Sequence, residues 1–135
     1  MDRSNKIKYK PGRFEKLFKQ FSSKMVAQFR EIHNYATKEL GLNCVAGAVY
    51  INYFANPGKV IFKIDPRPKD DCIHIAICDE DIVPNELAQY VTSKPSPDDD
   101  IGWGHGNWKR WATIKSDSDL RWARQLCKAL YDANN

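Results

Sequence analysis

Residues 45–78 read VAGAVYINYFANPGKVIFKIDPRPKDDCIHIAIC, and the fold turns on this stretch. Val45–Phe54 is apolar and rich in residues that fit a pleated surface. Asn56-Pro57-Gly58 is turn chemistry, because Pro fixes φ while Gly and Asn tolerate conformations closed to other residues. Val60–Ile64 follows, with Val60, Phe62 and Ile64 on one face. Asp65 to Asp71 reads as a second, looser turn, and Cys72–Cys78 then places Ile73, Ile75 and Ile77 on one face. Three alternating runs joined by short turns predict an antiparallel meander.

On the N-terminal side, Phe14, Phe18, Phe21, Met25, Phe29, Ile32, Ala36 and Leu40 recur every three or four residues. That spacing predicts one face of an α-helix, opened by Pro11-Gly12 and stopped by Gly41. Ser22-Ser23 is expected to divide it, one Ser capping the second part. On the C-terminal side, Pro84–Val91 predicts a short helix, Ser93–Asp100 a surface loop and Trp108–Ile114 a fourth strand. Leu120, Ala123, Leu126, Cys127 and Leu130 predict a closing helix over Asp117–Asp132, with Ser116 and Asp119 as its capping pair. The expected fold class is α+β: an N-terminal amphipathic helix, or two, an antiparallel meander of about four strands, and a C-terminal helix packed on the sheet. A single domain is expected over residues 1–135, with residues 1–12 as a flexible basic arm.

With 42% hydrophobic and 28% charged residues, composition excludes collagen-like, coiled-coil and largely disordered classes. No apolar run approaches the ~20 residues of a membrane span, and the polar N-terminus does not read as a secretory leader. A cytoplasmic, non-membrane protein is the expectation. The four cysteines, Cys44, Cys72, Cys78 and Cys127, each lie in apolar surroundings and read as buried free thiols.

The net charge of +4 is unevenly spread. Residues 1–30 balance to +7, residues 61–100 to −6 and residues 101–135 to +3. Basic ends around an acidic middle attract polyanions or dock onto that middle; the sequence leaves both open.

Catalytic and metal signatures are weak. Cys72 and Cys78, at opposite ends of one strand, would stand ~20 Å apart, too far for one zinc ion. No carboxylate precedes a Lys by two residues, as restriction-type nuclease sites need. No Gly-x-Ser-x-Gly elbow or phosphate-binding glycine pattern occurs. No catalytic set, metal or cofactor is therefore assigned.

The distinctive segment is Ile101–Trp111, IGWGHGNWKRW, which holds three of the four Trp residues. Its glycines permit close approach of another molecule, and its aromatic planes alternate with cations, as in a stacking platform beside a phosphate contact. The competing reading makes Trp103 and Trp108 core plugs and leaves Lys109 and Arg110 solvated. In a strand over 108–114, Trp108 and Arg110 share one face, and Lys109 and Trp111 the other. The candidate ligand-binding set is Trp103, His105, Trp108, Lys109, Arg110, Lys115, Arg121, Arg124 and Lys128, directed at nucleic acid or a nucleotide. The alternative is a protein-interaction adaptor or enzyme inhibitor acting through Asp79, Glu80, Asp81, Asp98, Asp99 and Asp100.

The succession GAVYINYFANPGKVIFKI, DCIHIAI, PNELAQYV, GWGHGNW and SDLRWARQLCKAL resembles a small prokaryotic domain family. Members occur alone or at the C-terminus of larger proteins, some labelled predicted transport proteins, others carrying restriction-type nuclease segments. The resemblance covers about residues 14–131. It implies a domain that accompanies nucleic-acid-acting or defence-related enzymes, and it transfers no catalytic residue. The basic N-terminal arm and the SKPSPDDD insertion depart from the family pattern.

Overall fold

The computed structural model describes residues 16, 18–46, 50–56, 59–93 and 108–134. The arm at 1–12, Trp103, His105 and Asp98, Asp99 and Asp100 lie outside the described residues.

The N-terminal helix, α1, spans Ser23–Asn34. The Ser22 hydroxyl caps it by accepting from the Met25 N–H at 3.1 Å, so the serine pair divides the helical stripe as expected. A five-residue π-turn, Tyr35–Glu39, continues the helix. Its wider winding keeps Ile32, Ala36 and Leu40 on the buried face. Gly41, at φ +70°, ends the segment, and the Leu42 N–H returns to the Ala36 carbonyl.

Six strands are described: β1 (Asn43–Ala46), β2 (Ile51–Asn56), β3 (Lys59–Arg67), β4 (Cys72–Ile77), β5 (Val91–Ser93) and β6 (Arg110–Ile114). They form one antiparallel sheet in the order β1-β2-β3-β4-β6-β5. A single turn of helix, α2 (Asn85–Ala88), precedes β5, and α3 (Asp119–Ala133) closes the chain. The α+β class holds, with corrections to its elements. The run Val45–Phe54 is two strands, since Ala46 pairs with Ile51 and the chain reverses between them. Val91–Ser93 is an edge strand, not the end of a helix and the start of a loop. The closing helix starts at Asp119, whose carboxylate accepts from the Lys115 and Ser116 N–H groups.

Register sorts the sheet into two faces. Ile51, Ile64, Ile75, Ala112 and Val91 lie in one cross-strand row, beside the Tyr53–Phe62 pair. This face meets Met25, Phe29 and Ile32 of α1 and Trp122, Ala123, Leu126 and Leu130 of α3 in the main core. Gln28 ties α1 to the turn that leads into α3, its amide donating to Asp117 at 3.2 Å. Between α1 and the sheet, the His33 ring stacks on Phe29 and makes a 2.7 Å hydrogen bond with the Tyr53 hydroxyl. Burial, then the nearby Lys38, holds the His33 imidazole below its ordinary range.

All four cysteines are free thiols. Cys72 and Cys127 are buried and Cys78 half-buried, whereas Cys44 is exposed because edge strand β1 has a neighbour on one side only. The basic N-terminal region does meet the acidic middle at one point. Lys24 pairs with Asp71 at 2.9 Å, and the Ser22 hydroxyl donates to the same carboxylate at 2.6 Å.

Candidate functional site on the polar face of the sheet

The second cross-strand row, on the face turned away from the helices, reads Asn52, Lys63, Ala76, Trp111 and Thr92. The neighbouring row reads Asp65, His74 and Thr113, and Arg67 lies beyond it opposite Cys72. Residues at 63, 65 and 67 share this face because side chains alternate along a strand. Lys63-x-Asp65-x-Arg67 therefore projects three charges in a line, ~6.6 Å apart at each step.

Two of these groups are buried, while the Arg67 side chain is 35% exposed. Asp65 is 1% exposed and Lys63 8%. The Arg67 guanidinium donates from Nε at 3.0 Å and from Nη2 at 2.9 Å to the same oxygen, Asp65 Oδ2. Burial pushes the Asp65 carboxyl up to about 6, against the opposing pull of Arg67. Burial, and then the Asp65 charge, push the Tyr50 phenol up to about 12.

Lys63 is held differently. Its ammonium lies 4.7 Å from the centroid of the Trp108 ring and 5.1 Å from that of Tyr50. Two aromatic faces favour the cation electrostatically. Among the described residues no carboxylate pairs with it and no acceptor takes its N–H groups. Burial lowers its pKa, while the Cys78 thiol pulls the other way. Across the sheet His74 stacks on Trp111, with ring centroids 5.6 Å apart and 18° between planes. Trp108 packs half-buried against Trp111 and Ala76 as a small cluster apart from the main core. The Asn52 Oδ1 atom is buried without a hydrogen-bond partner among the described residues. The whole is a patch of aromatic rings around one cation that no described residue neutralises, beside a closed ion pair. Such a patch can stack a planar group and hold an anion.

The residues singled out in the sequence do not form one surface. The strand begins at Arg110, so Trp108 precedes it and its ring joins Trp111 on the polar face, where strict alternation had separated them. The Arg110 guanidinium donates to the carbonyls of Cys78 and Asp81, locking the turn after β4. The Lys109 N–H donates to Asp79 at 2.9 Å. Lys115 is exposed just beyond the opposite end of β6. Arg121, Arg124 and Lys128 lie on α3, on the helix-bearing side of the sheet. There they line a groove of about 560 Å³ with Tyr35, Leu87 and Ala129. Arg124 pairs with Glu31 at 3.1 Å and Lys128 with Asp132 at 2.7 Å.

Sequence reasoning passed over Tyr50, Asn52, Lys63, Asp65, Arg67, His74 and Trp111 as a group. One signal was present: charged residues alternating with Ile64 and Pro66 in a central strand, where solvent-facing charge is ordinary only if that face is open. Among the described residues no three His, Cys, Asp or Glu side chains converge as a metal site would require. No helix described is long and apolar enough to cross a membrane. Comparison with family models, curated proteins and solved structures returns no match, so the functional reading rests on the residues themselves.

Proposed function

We propose that this protein is a binding module for nucleic acid or a nucleotide, and that its ligand engages the polar face of the sheet beside Trp108. One observation carries the reading: the Lys63 side chain is buried, and its ammonium lies over the Tyr50 and Trp108 rings with no anion to neutralise it among the described residues. Removing a charge from water is costly unless it gains a partner, and a ligand phosphate is such a partner. Trp108 keeps part of its ring accessible, and aromatic stacking on a base is tolerant of sequence.

The test is fluorescence anisotropy of labelled single-stranded DNA, double-stranded DNA and RNA, titrated with protein at low and moderate salt. Saturable binding that is lost in Trp108→Ala, with the fold intact by circular dichroism, supports the module. Absence of binding at low salt to every nucleic acid and to mononucleotides refutes it.

A second reading, an adaptor or inhibitor, is favoured by Ile82, which is 82% exposed directly after Asp79, Glu80 and Asp81. An exposed aliphatic beside acidic residues suits a protein partner. Under that reading Ile82→Asp abolishes partner capture and leaves nucleotide binding unchanged.

A further inference from the structure

Resting on that reading of the polar face, we infer that the site accepts a single terminal phosphate at Lys63. Its ligand is then a nucleoside monophosphate or the phosphorylated end of a strand, not a run of backbone phosphates. On the face of the sheet that carries the rings, β3 brings Lys63, Asp65 and Arg67 into one line. Lys63 is nine-tenths buried and its ammonium lies over two aromatic rings, with no anion beside it among the described residues. One step along β3 on the same face stands Asp65, and the next cation, Arg67, is bonded to it through two nitrogens. A second phosphate in that direction meets a neutralised pair rather than a free charge. In the other direction across the sheet lie Ala76 and Trp111, which offer no charge.

Three of the cations singled out in the sequence are engaged elsewhere. Arg110 is committed to two backbone carbonyls, Arg124 to Glu31 and Lys128 to Asp132. The last two also lie on the helix-bearing side of the sheet. Proteins that follow a nucleic-acid strand need a train of phosphate contacts, and their affinity falls with salt in proportion to that number. One contact gives a slope of about −1 in log affinity against log salt, where three or more give about −2 or steeper. Lying over aromatic rings, the ammonium acts as a point charge that needs no fixed fork geometry, which suits the rotating oxygens of a terminal phosphate.

Calorimetry on the full chain tests this with adenosine, adenosine 5′-monophosphate, inorganic phosphate, and a short single strand with and without a 5′-phosphate. The monophosphate is expected to bind at least tenfold tighter than adenosine, with a salt slope of about −1. Lys63→Gln, which removes the charge, reduces that tenfold ratio to near unity, and Lys63→Arg retains part of it. Preference for the free monophosphate over the phosphorylated strand identifies a mononucleotide as the source, and the reverse identifies a strand end. Equal binding of phosphorylated and unphosphorylated ligands, or a slope steeper than −2, overturns the single-phosphate inference while leaving nucleic-acid binding in place. Failure of every ligand, oligonucleotides included, overturns the proposed function itself.

Discussion

Replacing Asp65 by Asn should change how the stability of this protein depends on pH. Asp65 is 1% exposed and its carboxyl is pushed up to about 6, from an ordinary value of 3.8. The folded state therefore holds the proton more tightly than the unfolded chain. Asp65 costs nothing extra below about pH 4. Its ionisation then erodes stability as pH rises toward about 6, and the loss is complete above that. At 1.36 kcal/mol per pH unit, the penalty at neutral pH is on the order of 3 kcal/mol. His33 acts in the opposite sense. Its imidazole is held below the ordinary 6.5, so the unfolded chain takes up the proton first, and His33 favours the fold increasingly as pH rises to about 6.5. In the wild type the two slopes oppose each other across much of one window.

Asp65→Asn removes one of them and leaves a neutral carbonyl to accept from Arg67. Urea unfolding at pH 4.5, 5.5 and 7 is the assay. The variant should gain on the wild type by roughly 2 kcal/mol between pH 4.5 and pH 7, since about a third of the full penalty is already present at pH 4.5. Near this chain length that corresponds to a difference of about 7 °C in Tm. A gap between variant and wild type that is the same at all three pH values would refute the burial argument.

Other expectations follow from single contacts. Ser22→Ala removes the cap of α1 and a partner of Asp71, and should cost about 1 kcal/mol in denaturant unfolding. Gly41→Ala meets no neighbouring atom, so its cost of about 1–2 kcal/mol is backbone strain at φ +70° alone and should be smaller if Asn is used instead. A thiol reagent should modify Cys44 in the native protein, while Cys127, fully buried with its thiol pushed well above the ordinary range, should react only on unfolding. Rapid native labelling of Cys127 would contradict the packing of α3 on the sheet.

The core was readable because its signals are local. Phe21, Met25, Phe29, Ile32, Ala36 and Leu40 are all buried, and Ser22 and Gly41 sit where a cap and a stop belong. The β1–β2 reversal was not readable. Residues 45–54 carry no Pro, Asn-Gly or polar cluster to mark a turn, so two strands read as one. Edge strand β5 is only three residues long and is fixed by pairing with β6, a contact between distant parts of the chain. The polar face failed for a similar reason. Lys63, Asp65 and Arg67 alternate with apolar residues, which in an antiparallel strand ordinarily means water on that side. Only the register with β4 and β6 shows that Asp65 stands opposite His74 and that Lys63, Ala76 and Trp111 share a row. In the same way, the cationic stripe of α3 was visible in the sequence, but its separation from Trp108 depends on which sheet face the helix covers.

The location of the site is the central claim, and NMR tests it most directly. Amide and indole shifts of the 15N-labelled protein would be followed as adenosine 5′-monophosphate is added. The account predicts perturbations at Asn52, Lys63, His74, Trp108 and Trp111, with α3 unaffected. Perturbations confined to Arg121, Arg124 and Lys128, or none at saturating nucleotide, would contradict it.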